Sequence, residues 1–345
     1  MDAAFLNSLY LWLEWIVKAL FLIVALLVGF AYTTYMERKF LGRFQNRYGP
    51  NRAGPFGLLQ PVADGLKLIF KEELIPAQAD KLIFVLAPII TVVPAWIVLA
   101  VVPFGSTIQI LGRQISLSIA GDINVGVLYI TSVTSISIYG IALAGWSSNN
   151  KYATMGGIRS SAQMISYELA LGLAFIGPII MAGSMSLNEI VNTQGRLGWF
   201  AIYQPIGFVI FFVAALAEIN RPPFDMPEAE QELAAGYHVE YSGMKFALFM
   251  LTEYTKLIVI SCLSVTLYLG GYQGPGVDQF PWLGPIYLFL KVIVLIFGII
   301  WVRATLPRIR YDRLMAFGWK VLLPLALLSV FLTAVITILF SGYFS

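Results

Sequence analysis

Cysteine and histidine are almost absent from this sequence, which holds one of each among 345 residues, Cys262 and His238. A single cysteine excludes an iron–sulfur cluster or a cysteine-based zinc site within the chain. A single histidine excludes a haem with two histidine ligands and a histidine-rich metal site. A glycine-rich phosphate loop between a strand and a helix is also lacking, which argues against nucleotide binding. The chain is therefore not expected to hold a metal or a nucleotide of its own.

Charged residues are also scarce, at 12% of the chain, whereas 59% of the residues are hydrophobic. Soluble domains carry about a quarter charged residues, so this composition is typical of an integral membrane protein. A helix needs about twenty apolar residues to cross the ~30 Å hydrocarbon core, and eight stretches are candidates. They are roughly 10–35, 82–103, 123–145, 160–183, 203–218, 245–269, 283–303 and 321–341. We predict an all-α integral membrane protein, one membrane domain over residues 1–345. We predict no strands, since only helices or closed barrels satisfy the backbone in lipid.

The basic residues are distributed very unevenly between the two sides that eight spans would define. The connections that follow the first, third, fifth and seventh spans, with the adjoining helix ends, hold 17 Lys and Arg. The connections on the opposite side hold only Arg113 and Arg196. The positive-inside rule then places the basic connections in the cytoplasm and both termini outside. We expect a multi-pass protein of a bacterial-type inner membrane with periplasmic termini, with an organellar inner or thylakoid membrane as the alternatives.

The longest polar segment after the first ninety residues is the acidic loop 218–243, between the fifth and sixth predicted spans. Its acids are Glu218, Asp225, Glu228, Glu230, Glu232 and Glu240. The sequence of residues 220–223, Asn-Arg-Pro-Pro, should stop a helix because proline lacks a donor and restricts its predecessor. Asp225 followed by Glu228 resembles a capping box and predicts a short helix after the break. A plain solvated loop between two membrane helices is the alternative interpretation.

An amphipathic helix is predicted at 57–71, after the first span and a basic connection. Gln60, Asp64, Lys67 and Lys71 follow one another at spacings of three and four, and apolar residues occupy the other face. This segment is too short and too polar to span, so we expect it to lie in the membrane interface. The alternative interpretation of the basic connection before it is that its charges only set the orientation in the membrane and contact lipid headgroups.

Acidic side chains also occur inside the predicted spans. Glu168 lies about two turns into the fourth span with no cation near it in the sequence, and Glu253 lies three residues before Lys256 in the sixth. A buried carboxylate costs several kcal/mol unless it is paired or hydrated. Spaced acids in apolar spans are typical of proton relays, whereas an internal ion pair of Glu253 with Lys256 is the simpler alternative for those two.

Four long motifs resemble one known family. They begin YMERKFLGRFQNRYGPNRAGPFG, GWSSNNKYATMGGIRSSAQMISYE, AEINRPPFDMPEAEQELAAGYHVEYSG and RATLPRIRYDRLMAFGWK. Together they resemble, from about Tyr35 to Leu323, the H subunit of proton-pumping NADH–quinone oxidoreductase, the respiratory complex I whose organellar form is NADH dehydrogenase subunit 1. The resemblance implies a membrane subunit that joins the membrane arm to the redox arm and forms a quinone-access tunnel with its partners.

The resemblance also implies roles for individual residues of this sequence. The proton path would comprise Glu168, Glu218, Asp225, Glu228, Glu230, Glu232 and Glu253, and the quinone tunnel Arg38, Asp64, Phe224 and Arg310. Lys256 departs from the family pattern, in which an uncharged residue is more usual, and could hold Glu253 ionised. The role of Lys291 stays open.

The implied enzyme is a multisubunit quinone oxidoreductase, with NAD(P)H or ferredoxin as the electron source, and this chain alone is not expected to catalyse it. Quinone would be the substrate, and FMN and iron–sulfur clusters are expected in partner subunits. Those partners would be the soluble quinone-site and iron–sulfur subunits and the small and antiporter-like membrane subunits, with membrane lipids around them and no nucleic acid. A membrane anchor of a related energy-converting hydrogenase and a self-contained proton-coupled secondary transporter are the alternative functions.

Overall fold

A computed structural model describes residues 3–110, 113–120, 123–225, 235–277 and 279–339. Within them the chain is mainly helical. The helices are α1 (Ala3–Phe44), α2 (Gln60–Ile69), α3 (Lys81–Leu99), α4 (Gly126–Ser147), α5 (Lys151–Ala182), α6 (Leu187–Leu197), α7 (Phe200–Tyr203), α8 (Pro205–Glu218), α9 (Gly243–Tyr268), α10 (Leu283–Thr305), α11 (Tyr311–Phe317) and α12 (Leu323–Leu339). A π-helical turn over Gly318–Leu322 joins the last two into one long rod.

Seven stretches among the described residues are long and apolar enough to cross a membrane. They correspond to α1, α3, α4, α5, α9, α10 and the rod of α11 and α12, which confirms the all-α membrane fold predicted from composition. The remaining predicted span, 203–218, is represented by α7 and α8, which meet at Gln204. With 14 residues α8 is about 21 Å long, shorter than the ~30 Å hydrocarbon core.

The helix α9 occupies the centre of the structure. In its most apolar stretch 67% of the residues are buried, against 17% in α1 and 22% in the rod of α11 and α12. It packs against α3, α10, α1 and α2, and α5 forms a second inner layer against α4, α8 and α12. Polar side chains such as Gln163 of α5 and Lys256 of α9 are consequently buried inside the protein.

The first helix is much longer than the membrane is thick. Its 42 residues extend about 63 Å, roughly twice the hydrocarbon core, so its C-terminal turns continue beyond the apolar layer. Arg38, on one of these turns, forms an ion pair with Asp64 of α2. The helix α2 lies within the predicted amphipathic segment 57–71 and exposes Val62, Leu66 and Ile69 on its apolar face.

Two elements in the connections between membrane helices were not predicted from the sequence. The strands β1 (Thr107–Ile110) and β2 (Arg113–Ser116) pair as a short antiparallel hairpin between α3 and α4. The helix α6 lies between α5 and α7, where the Ser186 hydroxyl caps its N-terminus by accepting from the Glu189 N–H. Both elements are too short to cross a membrane, so the membrane architecture is unaffected.

Lys291, in the interior of α10, binds the backbone that follows the C-terminal end of α9. Its Nζ donates to the carbonyl oxygens of Leu269, Gly271 and Gln273 at 2.8, 3.0 and 2.8 Å. Carbonyls beyond the last turn of a helix lack helical partners, and a cation there also interacts well with the helix dipole. The ammonium thus uses its three donors on the backbone, which assigns Lys291 a structural role.

Replacing Lys291 with methionine should lower the thermal stability of the assembled protein. The change keeps the length of the side chain but removes three charge-assisted hydrogen bonds, each worth about 1.5–3 kcal/mol at most sites. The midpoint of heat-induced dissociation is expected to fall by at least about 3 °C. The exposed Lys67→Met variant of α2 serves as the control, and equal midpoints for the two variants would contradict this role.

Candidate functional site

The beginning of the acidic loop is fixed against α5 by two amide side chains. Gln163 Nε2 donates to the carbonyls of Ala217 and Phe224 at 2.9 and 2.8 Å. Asn220 Nδ2 donates to Ser160 Oγ at 3.0 Å, and Asn220 has the left-handed conformation (φ 56°) that asparagine tolerates. The chain therefore turns tightly after α8, and Glu218 is held inside the protein, 5% exposed.

A buried ion cluster joins α1, α9, α10 and this turn. Arg221 Nη1 donates to both carboxylate oxygens of Glu37 at 3.0 and 3.3 Å, and Arg303 of α10 contacts the same carboxylate. Arg221 Nη2 lies 3.5 Å from Glu253 Oε2, and its guanidinium stacks 4.4 Å from the centre of the Tyr254 ring. Glu37 and Arg221 are 3% and 6% exposed, so these charges stabilise one another in place of water.

Asp225 forms a second ion pair on the loop side of this cluster. Its Oδ2 accepts from Arg308 Nη2 at 2.9 Å. Burial raises the pKa of Asp225 to about 6, although the neighbouring Arg308 acts in the opposite direction. A carboxyl with that pKa exchanges a proton near neutral pH, so Asp225 can respond to a change of charge nearby.

Two small cavities connect three carboxyl groups in the interior. The larger, of about 20 Å³, is lined by Glu168 of α5, Glu218 of α8 and Lys256 of α9. The smaller, of about 10 Å³, is lined by Glu218, Glu253 and Lys256, and its wall includes Tyr237. A water needs about 10–15 Å³ of such space, so the larger cavity can hold one and the smaller is at the limit. Glu218 and Lys256 line both cavities, and this gives the order Glu253, then Glu218 with Lys256, then Glu168.

Glu168 links the series of acids Glu253, Glu218 and Glu168 to hydroxyl groups of α4. Its Oε1 accepts a hydrogen bond from the Ser135 hydroxyl. Ser135 and Thr134 are only partly buried, and Thr134 also borders the larger cavity. The line of hydroxyl and carboxyl groups therefore leads from the acidic loop through the protein to the flank of α4.

This arrangement suits proton transfer better than covalent chemistry. Carboxyl groups separated by water-sized spaces can pass a proton stepwise, since each can donate and accept. In the described part of the chain, no group of three or more His, Cys, Asp or Glu is placed to hold a metal ion. The chemistry available at this site is therefore that of titratable acids and fixed cations.

Comparison with known proteins identifies the family. The family model described as NADH dehydrogenase matches residues 17–334. The chain is 51% identical to the NADH-quinone oxidoreductase H subunit 1 of Geobacter sulfurreducens over 94% of its own length and 95% of that protein. It is 51% identical to the H subunit 2 of Geobacter metallireducens, with coverages of 93% and 94%, and 49% identical to the H subunit of Thermomicrobium roseum, with 91% and 96%. The chain belongs to the H-subunit family of NADH-quinone oxidoreductase. It is thus a subunit of an enzyme complex, as its motifs predicted.

In this member of the H-subunit family, three of the predicted proton-path acids converge. Glu168, Glu218 and Glu253 come from α5, α8 and α9, and the two cavities connect them. Asp225 lies in the same turn as Glu218 but faces Arg308. Glu228, Glu230 and Glu232 and the short helix predicted after Asp225 lie outside the described residues.

Glu253 and Lys256 both face groups from other elements, which the sequence did not indicate. Glu253 lies 3.5 Å from Arg221, and Lys256 lines the cavities bordered by Glu218 and Glu168. Glu253 and Lys256 also line the smaller cavity together, so a pairing between them stays a prediction. Neighbouring elements reach both side chains because α9 is central. Glu168, which has no cation near it in the sequence, consequently shares a cavity with Lys256.

The predicted tunnel residues occupy three separate places. Arg38 and Asp64 pair with each other and connect α1 to α2. Phe224 is buried at the turn after α8, its ring 5.8 Å from that of Tyr167. Arg310 lies on the surface, with its side chain 76% exposed and paired with Asp312 at 3.0 Å.

Sequence reasoning did not identify Glu37, Arg221, Arg303 and Arg308 as site residues. They belong to the quoted motifs, but each also fits the basic connections or a helix end. Glu37 could have been noted, because it is an isolated acid beside Arg38 and Lys39 near the end of an apolar run. Its two arginine partners come from distant parts of the chain, and the local pattern carries no signal of them.

Proposed function

We propose that this chain forms part of a quinone-access tunnel and couples quinone reduction to proton translocation in a complex I-type oxidoreductase. Its relatives are named as subunits of NADH-quinone oxidoreductase. The observation that carries the coupling part is the position of Glu218, which borders both internal cavities and ends the helix that leads into the acidic loop. A charge change at the loop can therefore act on the middle acid of the internal line.

The quinone part of the proposal concerns the region between α2 and the ion cluster. Glu37 and Arg38 are consecutive residues of α1. Arg38 forms an exposed ion pair with Asp64 of α2, and Glu37 forms a buried one with Arg221. The apolar face of α2 would lie in the lipid interface, where a lipid-soluble quinone is also found. We assign Arg38, Asp64 and Phe224 to the walls of the path and Arg310 to its outer surface, where the soluble subunits would dock.

Coupling would follow from the charge balance of the reaction. Reduction of a quinone to quinol takes two electrons from a partner subunit and two protons from its surroundings. Proton uptake near the loop would leave negative charge on groups such as Asp225, whose pKa of about 6 allows exchange at neutral pH. That charge would raise the proton affinity of Glu218, which would take up a proton and could pass it to Glu168 once the charge at the loop is neutralised.

The complex would supply the remaining parts. FMN and iron–sulfur clusters would belong to soluble partner subunits, and small and antiporter-like membrane subunits would take the protons onward from the flank of α4. We place the loop 218–243 on the cytoplasmic side of a bacterial inner membrane and both termini in the periplasm, because the basic connections share that loop's side.

The test is the Glu218→Gln variant in the assembled complex. Glutamine keeps the size and polarity of the side chain but cannot release a proton. Quinone-linked turnover should fall about tenfold or more, since a positioned acid contributes at least that factor to proton transfer. Reduction of a water-soluble artificial acceptor should persist, because it bypasses the quinone site.

The matched control is Glu189→Gln, which changes an acid at the start of α6, away from both cavities. Both activities should stay at the wild-type level in that variant. Wild-type quinone reduction and proton pumping in Glu218→Gln would overturn the proposed function.

A further inference from the structure

We propose that Lys256 is a positioning residue for proton transfer, a fixed internal counter-ion that lets Glu218 and Glu168 share one proton. This inference rests on the proposed function, because it concerns the same line of acids. It goes further because it assigns Lys256 a specific role, which is to set how many protons Glu218 and Glu168 hold between them. The geometry behind it is the position of one cation at the border of both cavities.

Lys256 faces several titratable groups across the two cavities. Glu168 comes from α5, Glu218 from α8 and Glu253 from α9 itself, and Tyr237 comes from the turn that ends the acidic loop. The neighbouring surfaces of α3 and α4 contribute the neutral hydroxyls of Thr91, Thr131, Thr134 and Ser137. Lys256 is 8% exposed, so carboxylates and cavity water must replace the solvent that its charge has lost.

Arg221, a second cation near this line, approaches Glu253 within 3.5 Å and also binds Glu37. The larger cavity brings Lys256 together with Glu218 and Glu168, so these are the two acids on which we expect the ammonium to act.

The charge balance then determines the proton content of the pair. With Lys256 protonated, the cavity is neutral when one of the two carboxyls holds a proton and the other is ionised. A proton can pass from the Glu218 carboxyl to a water in the cavity while that water gives a proton to the Glu168 carboxylate. Glu218 becomes the carboxylate, Glu168 becomes the acid, and Lys256 keeps its charge throughout. The total charge is unchanged, so the transfer avoids creating a net charge in a medium of low dielectric constant.

Without the ammonium, a neutral cavity requires both carboxyls to be protonated. Neither acid can then accept a proton from the other, and transfer requires one to ionise without a counter-ion. Alkaline conditions would favour that ionisation. The loss of Lys256 should therefore slow coupled turnover at neutral pH and move its pH dependence to higher pH.

The experiment compares Lys256→Met with Lys256→Arg in the assembled complex. Quinone-linked turnover and proton pumping are measured per assembled complex from about pH 6 to pH 9, so a change in the amount of complex does not affect the profile. Lys256→Met is expected to lose about fivefold at pH 7 and to shift its pH profile by about one unit to the alkaline side. Lys256→Arg, which keeps the charge, should retain the wild-type profile.

Lys291→Met is the matched control, because Lys291 also lies in the interior of a membrane helix but borders neither cavity. Its ammonium bonds three backbone carbonyls and lies 5.6 Å from the centre of the Trp199 ring. Loss of these contacts should lower stability without a shift in the pH profile. A wild-type profile in Lys256→Met, or the same alkaline shift in Lys256→Met and Lys256→Arg, would overturn the counter-ion role. If Glu218→Gln fails to slow turnover, the proposed function itself is wrong; if only Lys256→Met behaves as wild type, the counter-ion inference alone fails.

Discussion

The Glu37→Gln variant is expected to abolish most of the assembled complex. Its carboxylate bonds Arg221 at 3.0 and 3.3 Å and also contacts Arg303, so one acid neutralises two arginines at a site where it is only 3% exposed. A neutral amide leaves those guanidinium groups close together with much less countercharge. Removing one partner from a buried ion pair costs about 3–5 kcal/mol, and here two pairs lose the same partner.

The measurement is the amount of intact complex in membranes, together with the temperature at which it dissociates. We expect a loss of at least about 90%, since 3 kcal/mol already corresponds to more than a hundredfold change in an equilibrium constant. Glu73→Gln is the control, because Glu73 pairs with Lys245 at 2.7 Å while its own side chain is 43% exposed. Such a surface pair contributes about 0–1 kcal/mol. Similar complex levels in the two variants would show that the Glu37 cluster is not a stabilising centre.

The second large effect is expected from Gly156→Leu in α5. A Cβ atom at this glycine would lie 2.6 Å from the Gly236 Cα and 2.8 Å from the Tyr237 nitrogen. Both are backbone atoms, so no side-chain rotation can make room for it. The turn 236–238, which holds Tyr237 at the smaller cavity, must move away from α5. Overpacking by single groups costs about 1–3 kcal/mol, and leucine adds three further carbon atoms beyond the Cβ.

Quinone-linked turnover per assembled complex should fall more than about tenfold in Gly156→Leu, because the end of the acidic loop can no longer pack against α5. Gly156→Ala should lower turnover less, because alanine adds only the Cβ atom. Comparing alanine with leucine therefore tests whether the size of the side chain at the contact with turn 236–238 determines the loss. Gly298→Leu in α10 is the control, since a Cβ there meets no atom within 4 Å. Equal turnover in Gly156→Leu and Gly298→Leu would mean that the contact between α5 and the loop does not govern the site.

The membrane architecture was largely predictable from the sequence. Apolar runs long enough to cross a bilayer are a local property, and α1, α3, α4, α5, α9 and α10 all overlap predicted spans. The end of α8 at Glu218 follows from the Asn220–Pro223 sequence, because prolines stop a helix wherever they occur. The hairpin β1–β2 and the helix α6 were not predicted, since short elements in polar connections carry weak periodicity.

The acids of the candidate site were also identified from the sequence, but not their partners. An isolated Glu168 or Glu253 in an apolar run stands out because burying a charge is costly. Spacing of three residues suggested a pair between Glu253 and Lys256, but it gave no sign that Glu253 also lies beside Arg221. Helical spacing shows which residues share a face, but it does not show which neighbouring helix covers that face.

The sequence by itself determined the class of protein, the positions of its long apolar helices and the acids Glu168, Glu218 and Glu253, because these follow from hydropathy and backbone chemistry along a short stretch of chain. Only the tertiary structure decided that Glu37 binds two arginines and that Lys256 faces Glu218 and Glu168. The physical reason is that a buried charge is stabilised by whatever lies within a few ångströms of it. In this protein those neighbours come from helices that are distant in the chain and are brought together by packing around α5 and α9.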